Sequence, residues 1–437
     1  MTGTDMNDTS TPKDEDLPRR RFLKSGLAAG AALGAAQAVL AAQTPPDATA
    51  MAKMDPMRSV EPFYGPHQGG IVTPQQSHTY VASLDLATEK RDELIGLLRT
   101  WTEASARMAR GDTAKPLPQS DADAAPDSGD ALGLGTAGLT ITFGFGPGMF
   151  MSSGKDRYGL ARRRPEALVD LPHFNGEQLI PQKTGGDILI QACAHDPQVA
   201  FHAVRQLVRM GYGAVQMRWG QAGFLSGLRG HTPRNLMGFK DGTNNPSIAQ
   251  PALMKQFVWA RGTETPWMHG GTYTVVRRIR ITIEHWDQMK VGFQEQVFGR
   301  EKYSGAPIGK RNEFDALDLD AVDKDGNPLI PENAHARLSN ESVNNGAQIL
   351  RRSYAYNDGT DFYIERWPPW RQDTEYDAGL IFIAHQSDPR TGFIPINERL
   401  AKFDMLNQFT THVGSAIFAC PPGAAEGSFI GAGLFNT

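Results

Sequence analysis

A chain of 437 residues, 40% hydrophobic and 21% charged, with 46 glycines and 29 prolines, excludes a coiled coil, a collagen-like rod and a wholly disordered polymer. A net charge of −4, from 44 basic and 48 acidic residues, excludes an electrostatically driven nucleic-acid binder. The two cysteines, Cys193 and Cys420, make neither a disulfide framework nor a C-x-x-C motif, so a metal or cofactor has to be held by His, carboxylate or Arg.

In chain order, Arg19-Arg20-Arg21-Phe22-Leu23-Lys24 precedes an uncharged, Ala- and Gly-rich run from Ser25 to Ala42. This pattern reads as a twin-arginine export signal over 1–42, with a soluble, exported (periplasmic) mature protein. A membrane anchor is the competing reading, but so small-residue a run is marginal for ~30 Å of hydrocarbon. Residues 45–73 read as an irregular arm. Alternation predicts a strand over 78–86, and Leu94, Leu97, Leu98 and Trp101 carry helical spacing through 89–110. A polar Ala/Asp/Pro/Gly loop spans 111–138, then strands over 139–145 and 187–194, a helix over 197–210 and a strand over 214–219. The second half repeats the flavour: strands over 272–284, 349–356 and 380–385, a helix over 396–409 and a closing strand over 415–420. The expected fold is α+β, two ferredoxin-like halves with helices on largely antiparallel sheets, divided into domains 43–235 and 236–437.

Several motifs fail on context. Gly133-x-Gly135-x-x-Gly138 has the dinucleotide spacing, yet it precedes a strand and opens no helix, so a phosphate would meet no helix N-terminus. Asp323-x-Asp325-Gly326 imitates a calcium loop, but its first ligand position is Ala321, and a surface turn is the better reading. His195 and His202 have no third ligand to complete a metal site. There is no G-x-S-x-G elbow and no H-E-x-x-H.

Gly238-Phe239-Lys240-Asp241-Gly242-Thr243-Asn244-Asn245-Pro246 is the most distinctive stretch. Alone, it would be an Asp-Gly turn. Downstream come His335-Ala336-Arg337-Leu338 and Ile349-Leu350-Arg351-Arg352-Ser353-Tyr354. A lone His is usually a satisfied side chain and an Arg pair a solvated face; the three pieces in this order change the weighting. With Gly144-Phe145-Gly146-Pro147 and Phe298-Gly299-Arg300, they make most of the chain after the signal resemble the dye-decolorizing peroxidases. The signal makes it similar to their exported iron-uptake branch, described as haem peroxidases and deferrochelatases.

That resemblance implies one haem b per chain, enclosed by the two halves. His335 would ligate the iron, with Asp388 as the expected acceptor on its other ring nitrogen. Asp241 would stand on the opposite face and shuttle the peroxide proton, and Arg351 would stabilise the charge that develops as the O–O bond breaks. Alternate strand residues point to opposite faces, so only one of Arg351 and Arg352 should reach the haem. Gly242, Thr243 and Asn244 would line the haem edge, with Arg337, Asn340, Glu341 and Ser342 around the propionates, although the family often has Asn-Pro-Arg where this chain has Asn340-Glu341-Ser342. Implied partners are hydrogen peroxide, a reducing small molecule, iron-uptake components and a second copy of the chain. The expected activity is oxidation of dyes, phenolics or iron, favoured in acid and falling as Asp241 protonates. The competing readings are a haem-handling, iron-supplying protein with incidental turnover, and a haem-free binding module. Tyr354, Tyr356, Tyr363, Trp367 and Trp370 read first as core packing and second as an electron route to bulky donors.

Overall fold

The computed structural model describes residues 55–118, 125–227, 231–263, 265–364 and 372–436; the expected export signal over 1–42 and the pair Trp367 and Trp370 lie outside them. The first half runs β1 (His78–Leu86), α1 (Arg91–Ala109), β2 (Thr140–Phe145), β3 (Ile188–Ala194), α2 (Pro197–Met210) and β4 (Val215–Phe224). In α1 the apolar positions Leu94, Leu97, Leu98, Trp101 and Met108 fall on one face and are buried. Trp101 also donates its indole N–H to Leu207 O at 2.7 Å, which ties α1 to α2. Asp196 starts α2 by accepting from the backbone N–H groups of Gln198 (2.8 Å) and Val199 (3.0 Å), with Pro197 in the first turn.

The second half runs β5 (Thr272–Ile281), α3 (Val291–Phe298), α4 (His335–Leu338), β6 (Leu350–Arg351), β7 (Tyr354–Ile364), β8 (Gln372–Gln386), α5 (Phe393–Phe403) and β9 (Thr410–Cys420). Hydrogen bonding orders the first four strands β2-β3-β1-β4 and the others β9-β5-β8-β7, all antiparallel. Single pairings, Phe145 with Ala419 and Phe224 with Ala355, join the two sheets at both ends into a closed ring. Between the sheets lies a core of Val81, Leu189, Val276, Ile381, Ile383 and Phe418 with both cysteines; the helices cover the outer faces.

Six expected elements differ: the strand over 214–219 runs on to Phe224, the one over 415–420 starts at Thr410 and the one over 272–284 ends at Ile281. The strand over 349–356 breaks at Arg352 and Ser353, between β6 and β7. The one over 380–385 grows into the 15-residue β8, because its first half, rich in Asp, Thr and Glu, carries no apolar signal. The helix over 396–409 ends at Phe403, where Asp404 caps a separate 3-10 turn, Met405–Gln408. The rejected motifs stay rejected: Gly133, Gly135 and Gly138 all take positive φ in a loop, and Asp323 accepts backbone N–H groups in a turn.

Candidate active site

One wall of a cavity in the second half comes from the outer face of its sheet. On β8 and β5, Leu380, Phe382, Ile279 and Ile281 point outward, and α5 lays Phe393, Ile396 and Leu400 over them. The cavity, about 1810 Å³ including its open mouth, is lined mainly by these apolar groups and by Asp241, Gly242, Thr243, Asn244, Asn340, Arg351 and His335.

His335 opens α4, and its Nδ1 lies 2.6 Å from Asp404 Oδ2. Asp404 is 3% exposed at its side chain and is aimed by its own cap bond, Oδ1 accepting from Leu406 N at 2.9 Å. With Nδ1–H donated to the carboxylate, the lone pair of His335 sits on Nε2. The expected partner, Asp388, is corrected by this geometry. Its carboxylate is bound by Arg390, with Nη2 at 2.8 Å, and lines a different surface cavity. The signal missed was a capping one: Asp404 stands just where the α5 periodicity fails.

Arg351 and Asp241 form an ion pair, Nη1 to Oδ1, at 2.9 Å. Asn245 clamps the arginine. Its Oδ1 accepts from both the backbone N and Nε of Arg351 at 3.2 Å, and its Nδ2 donates to Arg351 O at 2.8 Å. Asn245 stood in the quoted stretch without a role. Arg352 turns the other way, as strand alternation predicts, and is 3% exposed. Gly242 has φ +120°, in the region that favours glycine, while a Cβ there would meet nothing closer than 3.9 Å. The backbone conformation, more than a protein contact, calls for glycine, and it leaves open space toward the cavity.

Around the mouth, Thr243 Oγ1 donates to Glu313 at 3.0 Å and Asn244 Nδ2 to Glu341 at 3.0 Å, so the loop after Asp241 is anchored by two acids. Asn340 lines the cavity and caps the turn that follows, accepting from Ser342 N at 2.9 Å. The other three residues expected around the propionates, Arg337, Glu341 and Ser342, line a groove that adjoins the cavity, where Arg337 donates to Leu319 O (2.8 Å) and Ile330 O (3.2 Å). Arg300, quoted above without a site role, lines both spaces. Its Nη1 is held by Gly305 O and Glu313 O at 2.8 and 2.9 Å, and burial lowers its proton affinity.

The donor set fits a haem. Among the described residues no cluster of three or more His, Cys, Asp or Glu is arranged to hold a bare metal ion. One imidazole with a carboxylate behind it suits an iron that brings its own equatorial ligands. Apolar walls suit the macrocycle, and Arg300 at the mouth suits its carboxylates.

The sequence matches the family models for the N-terminal (residues 68–225) and C-terminal (residues 232–425) parts of Dyp-type peroxidases. It is 40% identical over 385 residues to a dye-decolorizing peroxidase of Thermobifida fusca, covering 84% of each chain. It is 32% identical over 431 residues to a deferrochelatase of Yersinia pestis bv. Antiqua, covering 95% of this chain and 94% of that one. Among solved structures, an oxyferrous complex of DtpA from Streptomyces lividans superposes with a TM-score of 0.78 at 36% identity, over 87% of this chain and 98% of that one. A DyP-type peroxidase from Cellulomonas bogoriensis gives 0.76 at 36%, over 88% and 100%. With family models spanning most of its length and a relative at 40% identity, the chain belongs to the Dyp-type peroxidase family.

Proposed function

We infer that this chain is a haem peroxidase that reduces hydrogen peroxide while oxidising dyes, phenolics or iron. The observation that carries the reading is the placement in one cavity of an imidazole backed by Asp404 and an acid paired with Arg351. The haem is haem b, one per chain: both cysteines are buried in the inter-sheet core, away from a covalent attachment role.

When bound, the haem supplies the electrons that cleave peroxide. His335 would hold the iron through Nε2, and Asp404, by accepting from Nδ1–H, would make the ring a stronger donor. Asp241 accepts the proton from one peroxide oxygen and delivers it to the other. Its Oδ1 is engaged by Arg351, and Oδ2 accepts no hydrogen bond among the described residues. Arg351, fixed by Asn245, presents a permanent charge to the oxygen that becomes negative. Gly242, Thr243, Asn244 and Asn340 line the edge, and Arg300 holds the propionates.

The strand–helix–strand–strand–helix–strand order of the first half, repeated in the second apart from the added short elements α4 and β6, supports a duplicated ferredoxin-like fold enclosing the haem. The twin-arginine pattern supports export; iron-uptake partners and a homodimer rest on analogy with the family. Full-length similarity to deferrochelatases favours a second capability, release of iron from haem. Haem reconstitution tests the whole reading: a Soret band must appear, and His335→Ala must abolish it or shift its ligation. No Soret band in the wild-type chain sinks the proposal. If Asp241→Asn loses peroxide turnover yet still frees porphyrin from haem, iron supply is the biological output.

A further inference from the structure

The inner face of the second sheet carries a charged group for which peroxide chemistry has no use. Arg352 leaves the chain opposite to Arg351, into the space between the two sheets. Its terminal nitrogens donate to Thr73 O at 2.6 Å, to Pro74 O at 3.5 Å and to Gln76 Oε1. All three acceptors are neutral. No carboxylate among the described residues forms an ion pair with it; the field of Arg352 reaches half-buried Glu61, but burial outweighs it there and leaves that carboxyl above its ordinary value. A buried charge with only neutral partners is costly, and proteins nearly always match it.

The register shows what surrounds it. Leu350 pairs with His385, Arg352 N donates to Ile383 O at 2.8 Å, and Tyr354 pairs with Ile381. Facing residues of paired strands share a side, so His385, Arg352 and Tyr354 succeed one another on the inner face. His385 Nε2 and Arg352 Nε are buried polar atoms without a hydrogen-bond partner, and the Tyr354 hydroxyl, which completes no hydrogen bond of good geometry, lies close to Arg352, Cys193 and Gln75. His385 and Tyr354 are 0% exposed. Thr274 Oγ1 lies 2.9 Å from His385 Nδ1 and 3.1 Å from Cys420 Sγ. When the thiol donates to the hydroxyl and the hydroxyl to Nδ1, the ring hydrogen falls on Nε2. Burial and the Arg352 charge push this imidazole down to about 3, so it serves as a neutral donor. The three groups are then all donors around one positive charge. One orphan acceptor, Gln191 Oε1, belongs to β3 of the facing sheet.

We propose that a small monovalent anion of the halide class is held between the two sheets by Arg352 Nε, Tyr354 Oη and His385 Nε2. It balances the one uncompensated charge and takes all three donors, and the apolar lining of Val81, Leu189, Val276 and Ile383 excludes larger or more strongly hydrated ions. The site is independent of the haem reading, since none of its three ligating groups lines the haem cavity.

The test is diffraction from crystals of the haem-loaded protein in sodium bromide, recorded at the bromine edge. An anomalous peak within hydrogen-bonding distance of Arg352 Nε and Tyr354 Oη is the expected result. In solution, the unfolding midpoint should be higher in chloride than in acetate of equal ionic strength, by on the order of 3 °C. Tyr354→Phe keeps the ring but removes one donor, so it should reduce bromide occupancy and at least halve that difference. Ordinary water density without anomalous signal at the three donors, or equal midpoints in the two salts, overturns the proposal.

Discussion

Asp404 does two jobs with one carboxylate: Oδ1 starts the turn at Met405, and Oδ2 fixes the tautomer of His335. Replacing it by Asn keeps an acceptor and removes the charge, so Nε2 becomes a poorer donor. The ferric state then loses stabilisation. The expected outcome for Asp404→Asn is a more positive iron reduction potential and a rate with peroxide lower by about 10–100-fold, haem content being retained. A spectroelectrochemical titration checks the first and stopped flow the second; an unchanged potential would mean that the contact is only structural. Asp241 acts on the proton alone. Asp241→Asn should bind haem normally and lose about 10²–10⁴ in the peroxide step. A peroxide step as fast in the variant as in the wild type would remove Asp241 from the proton path.

The site depends on elements that meet closely, and Gly379 marks one of the tightest meetings. It pairs with Arg280 across β5 and β8, and a Cβ there would stand 1.9 Å from Ile279 O and 3.0 Å from Arg280 Cα. Neither is a side chain that can swing aside. Gly379→Ala should therefore pry the two strands apart at a cost of about 1–3 kcal/mol, and, because Leu380 lines the cavity, weaken haem retention with it. Thermal melts with and without haem measure both effects. The sequence had no means of announcing this glycine, since the atoms it avoids lie a hundred residues away. The elements themselves were more legible. α1 and α2 could be read because apolar spacing and an Asp-Pro cap are local, and the Gly238–Pro246 stretch could be read because its chemistry is contiguous. What stayed hidden was long-range or polar: the partner of His335 lies 69 residues on, and the extension of β8 is charged, with Glu375 and Asp377 buried against arginines of β5. Arg337, two residues after His335, donates to the backbone carbonyls of Leu319 and Ile330.

Across the whole molecule, stability and function share a set of buried ion pairs on β5. Arg277 pairs with Glu177, Arg278 with Asp377 and Arg280 with Glu375, all nearly buried. Burial pushes the Glu177 carboxyl up, but hydrogen bonds from His173 and Arg277 outweigh it and hold it below its ordinary value. Asp377 likewise ends below its ordinary value, burial being overcome by Arg278. For an acid whose folded pKa lies below the unfolded one, the unfolded chain binds the proton first. The stabilisation is full above the unfolded value and drains away as pH falls through the folded one. Stability contributed by these pairs should therefore be level near neutrality and drop below about pH 4.5. Glu177 and Arg277 also line the cavity proposed for the haem, so the same protonation should loosen its wall. Glu177→Gln should be less stable than wild type at pH 7, with a flatter acid limb in denaturant titrations. Transfer of haem to an acceptor globin should accelerate in acid for the wild type and depend less on pH for the variant. If wild-type haem transfer is as slow at pH 4 as at pH 7, the pair does not guard the cavity. The acid preference of the peroxidase step would then carry no penalty in cofactor retention.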